Sequence, residues 1–428
     1  MPRYHALVIG GGPAGSTAAA FLARAGKRVA VIEREKFPRF HIGESLLPYN
    51  LPLLEELGVL GKIESAGFMK KFGAKFSLAD GSHTTAIRFR DGRFTEQPMS
   101  YQVERSRFDA ILLDHARSCG ADVFEQSRVT DHRTDAGSVH LTVREAGGRT
   151  VNPPAPADLQ ADFLIDASGQ DNFTGTRERL RAFVPRHRKI ATFGHFAGMR
   201  LGEGDERGDI AIYRLDDGWA WLIPLSDERV SVGVVTDAAS RRARRDATSQ
   251  LEDGIAAAPA LAERLAGCLP DGPIRQMRDF SYSNRRLVSP RLIRIGDAAG
   301  FIDPIFSSGV FLAMQSGKEA ALAATDAIDR GRSLTASMRR YERDHRLRMR
   351  LFSGLIEGFY TRPFVELLLQ PDQFLSLPAA VGAVLAGRID RAWKIRWRLR
   401  IFHAMARVQA FVPIVPRLAL SPSPPTSQ

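Results

Sequence analysis

Trp219-Ala220-Trp221-Leu222-Ile223-Pro224 sets two indoles one residue apart. On an extended segment such a pair projects to one side and builds a double aromatic wall. A wall of that kind parts two reactants and leaves passage only for something small. A second chemistry lies in Gly10-Gly11-Gly12-Pro13-Ala14-Gly15. Gly10 permits a tight turn, Gly12 lets backbone approach a pyrophosphate, and Gly15 lets a helix pack close to a strand. Ala14 lies at the start of that helix, whose N-terminus faces the phosphate charge. Glu33 stands where an acid holds ribose hydroxyls in such a motif. A further acid, Asp297 in Gly296-Asp297-Ala298-Ala299-Gly300, can accept hydrogen bonds from a hydroxylated chain or cap a helix.

These residues need elements to hold them. Residues 5–10 read as a buried parallel strand, 14–25 as a helix and 29–33 as a second strand, a complete βαβ unit. The pattern predicts a helix over 46–66, strands at 72–76 and 86–90, and a helix over 105–118 with Phe108, Ile111, Leu112 and Ala116 on one face. Strands follow over 123–151, then a Pro-rich loop at 153–156. Phe163 to Gly169 returns to the parallel sheet, and 175–275 is strand-rich. Leu292–Ile295 is the last strand before a long helix at 309–328. From 333 onward the chain reads as helical and basic, with a frayed Ser/Pro-rich end at 421–428. Aromatics at period two also read simply as sheet core, and Pro224 as a strand end.

The fold class expected is α/β: a Rossmann-like dinucleotide-binding domain, a second antiparallel sheet on the substrate side and a helical C-terminal region. The domain limits are 1–68 with 100–175 and 276–330, then 69–99 with 176–275, then 331–420, with 421–428 as a tail. A chain of 428 residues with ordinary apolar content can bury such a core. Cys119 and Cys268 are the only cysteines and lie far apart. That gives no disulfide framework and no zinc spacing, so no metal is expected and a reducing, cytoplasmic setting is. The phosphate loop starts at Gly10, leaving no room for a signal peptide before it. The net charge of +12 is spread out with no nucleic-acid motif, so nucleic acid is excluded as a partner. Arginine-rich coding explains the excess. The sharper readings are an acidic carrier protein or an anionic membrane surface.

Phe37-Pro38-Arg39-Phe40-His41-Ile42-Gly43-Glu44-Ser45-Leu46-Leu47-Pro48, Phe68 to Phe76, the Trp219–Pro224 hexapeptide and Asp303-Pro304-Ile305-Phe306-Ser307-Ser308-Gly309-Val310 occur in this order. Together they resemble flavin-dependent halogenases, within the FAD flavoproteins that include aromatic hydroxylases. Asp297 and Asp166-Ala167-Ser168-Gly169 resemble FAD motifs of that larger group. The resemblance covers residues 1–330, and the last hundred residues match only loosely. It implies FAD, used reduced as a co-substrate and supplied by a separate reductase, with chloride or bromide as halide. Reduced FAD, oxygen and halide give hypohalous acid, which travels to a lysine beside the substrate. The lysine hydrogen-bonds it or forms a haloamine, and directs it onto an electron-rich ring carbon.

Carried onto this chain, the resemblance places the lysine at Lys71, with Lys70 as the adjacent alternative. On a strand over 71–76, Lys71, Gly73 and Lys75 share one face, which would be solvated in any ordinary protein. It places the halide at Ser308 and Gly309, where helix-start N–H groups favour an anion, or where Ser307 or Ser308 merely caps a helix. It gives Trp219 and Trp221 the task of keeping substrate off the flavin. Glu44 and Ser45 fall in a loop over the flavin, Arg105 contacts FAD or forms a surface ion pair, and Val129 clamps adenine through backbone. His41 receives no role.

Tryptophan-directed halogenases carry a glutamate between Pro304 and Ser307, where this chain has Phe306. The departure favours a small phenolic or pyrrolic substrate, free or on a carrier protein, in secondary metabolism. The alternative is an FAD-dependent monooxygenase or oxidoreductase on the same scaffold. A non-catalytic flavin-binding partner is the third reading. Arg391 to Arg400 interleaves bases with aromatics and reads as a carrier-docking or membrane-resting segment, or as a helix whose aromatics close the core.

Overall fold

A computed structural model of the chain describes residues 3–92, 95–146, 155–183, 188–240, 242, 245–278, 281–370, 377–388 and 393–418. The loop expected at 153–156 falls partly outside these residues, and the tail at 421–428 wholly so.

Val-, Ile- and Leu-rich runs buried on both faces form a mostly parallel sheet. Its strand order is Val288–Ser289, Leu292–Arg294, Asp158–Asp166, Arg3–Ile9, Val29–Ile32 and Asp122–Phe124. Arg3–Ile9 pairs in parallel with Asp158–Asp166 on one side and Val29–Ile32 on the other. An antiparallel hairpin, Ser127–Thr134 and Val139–Glu145, joins Asp158–Asp166. The helix Pro13–Arg24 follows the first strand, buries its alanines and packs on the 21-residue helix Gly309–Asp329. The C-terminal ends of the parallel strands therefore converge on two helix N-termini, the usual place for a ligand in an open α/β sheet.

A second sheet runs in the order Leu269–Pro270, Lys189–Ala197, Arg229–Asp237, Gly218–Pro224, Ile210–Leu215, Gly73–Leu78, Thr84–Arg88. It is antiparallel except where Ile210–Leu215 pairs in parallel with Gly73–Leu78. Gly218–Pro224 is central and wholly buried. Helices Ala336–Phe359, Arg362–Leu369, Leu377–Leu385 and Trp393–Phe411 make up the C-terminal region.

Two local expectations are corrected. The helix expected over 46–66 is two short helices, Asn50–Leu57 and Leu60–Ser65. Gly58 adopts φ +82° between them and ends the first, a left-handed conformation that suits glycine. The strand expected over 71–76 breaks at Phe72 into Met69–Lys71, paired with Ser100–Gln102, and Gly73–Leu78. Lys71 therefore does not share a solvated face with Lys75. Lys71 is 2% exposed, while Lys75 reaches Glu206 near the surface. Of the 391–400 segment the described part starts at Trp393. Ile395, Leu399 and Phe402 turn inward there and Trp393 stays exposed, so aliphatic side chains supply most of the core contact.

Candidate active site

A cavity of about 1030 Å³ opens above the strand ends. Its wall includes Gly10, Gly12, Ala14, Glu33, Glu44, Ser45, Arg105, Val129, Trp219, Trp221, Asp297 and Gly309. Residues far apart in the sequence thus meet around one space. Gly15, Lys71 and Ser308 stand behind that wall rather than in it.

Gly10 and Gly15 serve the turn and packing roles their spacing suggests. Gly10 holds φ +96°, and a Cβ there would meet the Ala167 carbonyl oxygen at 2.4 Å. A Cβ on Gly15 would stand 1.9 Å from the Gly10 carbonyl oxygen. Only a bare α-carbon lets helix and strand approach this closely. Glu33 accepts the Gly11 N–H at 2.7 Å and the Glu35 N–H at 2.8 Å, and burial raises its pKa. Asp297 faces the cavity, where desolvation pushes its carboxyl up to about 6.

Arg105 is neither exposed nor free. Its Nε and terminal nitrogens donate to both oxygens of buried Asp109 at 2.8 and 2.9 Å, and another reaches the Ile42 carbonyl at 2.7 Å. Arg39 also donates to Asp109. This bidentate pair fixes the 42–45 loop, which carries Glu44 and Ser45. Glu44 Oε1 lies 2.7 Å from His195 Nε2, while buried Glu44 Oε2 has no partner among the described residues. An orphaned carboxylate oxygen beside a cavity fits a ligand that donates hydrogen bonds there.

The two indoles point the same way. Trp219 and Trp221 have ring centroids 5.5 Å apart, and both line the cavity. Trp221 is held by its Nε1–H to Ser231 Oγ at 3.2 Å and by lying over Gly233, where a Cβ would stand 2.2 Å from the ring. Trp219 donates to Tyr360 Oη at 3.0 Å. Ser307 adopts a left-handed φ of +55°, turning the chain into the helix that begins at Gly309. Ser308 is buried, and beside Gly309 there is open space where a side chain would stand.

Lys71 Nζ donates to Ser45 Oγ at 2.9 Å and to the Leu46 carbonyl at 3.1 Å, with the Phe89 ring 5.4 Å away. Burial lowers its pKa from 10.5 to about 7, against the pull of the Asp209 carboxylate. Lys70, by contrast, is exposed beside a separate surface cleft. Phe306 packs among Phe76 and Phe359 with centroid distances near 6 Å, an aromatic cluster at the segment where tryptophan-directed halogenases carry a glutamate. The sequence reading did not single out Asp109, His195, Asp209 or Tyr360. Asp109 alone carried a local signal, its i, i+4 spacing from Arg105.

A glycine-rich strand-to-helix turn, two acids on the wall and a dinucleotide-sized cavity suit an FAD-binding protein. The FAD binding domain family model matches residues 3–350. A 1H-pyrrole-2-carbonyl (peptidyl-carrier protein) chlorinase of Pseudomonas fluorescens is 33% identical over 363 residues, 79% of this chain and 79% of that protein. A flavoprotein/dehydrogenase crystal structure from Cytophaga hutchinsonii superposes with TM-score 0.84 at 28% identity, covering 94% of this chain and 98% of that one. A flavin-dependent brominase superposes with TM-score 0.82 at 27% identity, covering 95% and 100%. The chain belongs to the FAD-binding family and, within it, to the flavin-dependent halogenases. It is an FAD-dependent oxidoreductase that uses halide. Among the described residues no helix is long and apolar enough to cross a membrane.

Proposed function

We propose that this halogenase acts on an electron-rich phenol- or pyrrole-like ring, presented on a carrier protein, and that Lys71 directs the oxidant to it. The observation that carries this reading is the setting of Lys71. Its amine is enclosed, joined to the cavity wall through Ser45, and titrates near neutrality. Such a group serves either protonation state: a cation donating to hypohalous acid, or a free amine forming a haloamine. The exposure of Lys70 favours Lys71 of the pair.

FAD would lie along Gly10, Gly12, Ala14 and Gly15, with Glu33 on its ribose, Val129 at the adenine end, Asp297 on its polyol chain, and Arg105, Glu44 and Ser45 at the covering loop. When bound in reduced form it supplies the electrons with which oxygen and halide yield hypohalous acid. The backbone at Ser308 and Gly309 would hold the halide, helped by the helix N-terminus. Trp219 and Trp221 would keep the ring substrate from the flavin, so that only the small oxidant passes. At Lys71 the ring carbon takes the halogen, its proton leaves, and water is released. The chlorinase relative is named for a pyrrole on a peptidyl carrier protein, which supports the tethered substrate, as does the net charge of +12 against an acidic carrier.

The test supplies a separate flavin reductase, FAD, oxygen and bromide, with pyrrole-2-carbonyl on a carrier protein and a free phenol in parallel. Mass spectrometry reads the bromine isotope pair. Bromide-dependent brominated carrier supports the reading. Hydroxylated product formed without halide would overturn it in favour of a monooxygenase.

A further inference from the structure

The segment that would hold halide and the strand that carries the indoles are far apart in sequence, yet one side chain touches both. Tyr360 follows the helix Ala336–Phe359 as its cap residue. Its hydroxyl accepts the Trp219 Nε1–H at 3.0 Å and donates to Asp303 Oδ2 at 2.6 Å. The other oxygen of Asp303 accepts the Ile305 N–H at 3.1 Å and so fixes the turn Pro304–Phe306. That turn leads through Ser307 into Ser308 and Gly309.

We propose that Tyr360 is a positioning residue, a clasp that fixes the indole of Trp219 and the Asp303–Gly309 turn in one arrangement and thereby sets halide affinity. The claim rests on the halide reading of Ser308 and Gly309.

Four observations support a clasp rather than a chance contact. The polarity is unambiguous: an indole N–H can only donate and a carboxylate only accept, so the phenol must do both. Burial and the Asp303 carboxylate hold Tyr360 well above the usual phenol range, which keeps the donated proton in place. The ring is pinned as well: Lys189 Nζ lies 4.1 Å from its centroid, and Arg214 reaches the Tyr360 carbonyl. The preceding residue, Phe359, packs on Phe306 of the same turn and on Phe76. One helix end therefore grips the turn by its carboxylate and by its aromatic side chain. Without the phenolic hydroxyl, the indole loses its acceptor and Asp303 loses one of its donors, so the link between strand and turn is cut.

The test is Tyr360→Phe, which keeps the ring and removes both bonds. Steady-state halogenation is measured against bromide concentration, together with flavin affinity and the fraction of reduced flavin oxidised without halogenated product. The expected result is a bromide KM raised about tenfold, the scale of one charge-assisted hydrogen bond. Flavin affinity should stay within about twofold, and the unproductive fraction should rise. A general structural role would lower turnover or flavin affinity without a selective change in bromide KM. Should Tyr360→Phe not fold, Asp303→Asn keeps the turn's acceptor while altering the bond to Tyr360, and the same KM shift is expected. An unchanged bromide KM in a variant that still makes product overturns the clasp alone. A wild-type protein with no halide-dependent product overturns the halogenase reading, and the clasp with it.

Discussion

Replacing Lys71 with methionine should abolish halogenation and, at acid pH, make the protein more stable. Burial lowers this amine from 10.5 to about 7. At about 1.36 kcal/mol per pH unit, the folded state bears a cost of about 5 kcal/mol when it must hold the cation. Below pH 7 both folded and unfolded chains are protonated, so the cost is fully present. As pH rises from 7 to 10.5 the unfolded chain keeps its proton while the folded one does not, and the cost fades. Methionine has a similar length and no charge, but it forfeits the bonds to Ser45 Oγ and the Leu46 carbonyl, each worth roughly 1–2 kcal/mol. Lys71→Met should therefore gain on the order of 2 kcal/mol at pH 6 and lose that advantage by pH 10. Urea unfolding at the two pH values measures this, with product formation and flavin titration alongside. Product should fall by at least about a hundredfold, the contribution typical of a positioned proton donor or nucleophile, with flavin binding intact. A variant that halogenates near the wild-type rate, or that is equally shifted in stability at both pH values, refutes the reasoning.

Three more outcomes follow from the cavity wall and the glycines packed behind it. Asp297, pushed up to about 6 by burial, accepts from a polyol more strongly when ionised than when protonated, so FAD should bind more weakly as pH falls below 6, by up to about tenfold per pH unit. Fluorescence titration between pH 4.5 and 7 checks it, and Asp297→Asn should flatten the profile. Gly233→Ala would put a methyl group 2.2 Å from the Trp221 ring and push the indole from its place. Halogenation should drop while flavin affinity holds, read by the same two assays. Gly15→Ala meets the Gly10 carbonyl at 1.9 Å, and should cost about 1–3 kcal/mol in thermal unfolding and most of the FAD affinity.

What the sequence made legible was local. Gly10 to Gly15 and Glu33 lie within one βαβ unit, whose geometry follows from spacing alone, and the helix over 105–118 matches its observed bounds, Arg105–Ser118. The Trp219 and Trp221 pair was readable because a strand alternates its faces. What stayed hidden was long-range. His195 reaches Glu44 across 151 positions, and Tyr360 reaches Trp219 across 141. No periodicity encodes such pairs. The burial of Lys71 was equally illegible, being decided by Phe72, where the strand breaks, and by the loop whose Ser45 and Leu46 return to cover it. Asp109 was passed over because an acid four residues after an arginine ordinarily means a surface ion pair, and here the pair is enclosed.

Neither sheet can be completed from one contiguous length of chain. Arg3–Ile9 needs Asp158–Asp166 beside it, and that strand needs Leu292–Arg294. Ile210–Leu215 needs Gly73–Leu78, drawn from well upstream. A ribosome must therefore release nearly three hundred residues before the first layer closes, and separately expressed halves should each present unfinished strand edges prone to aggregation. Whole-chain melting should then be a single calorimetric transition.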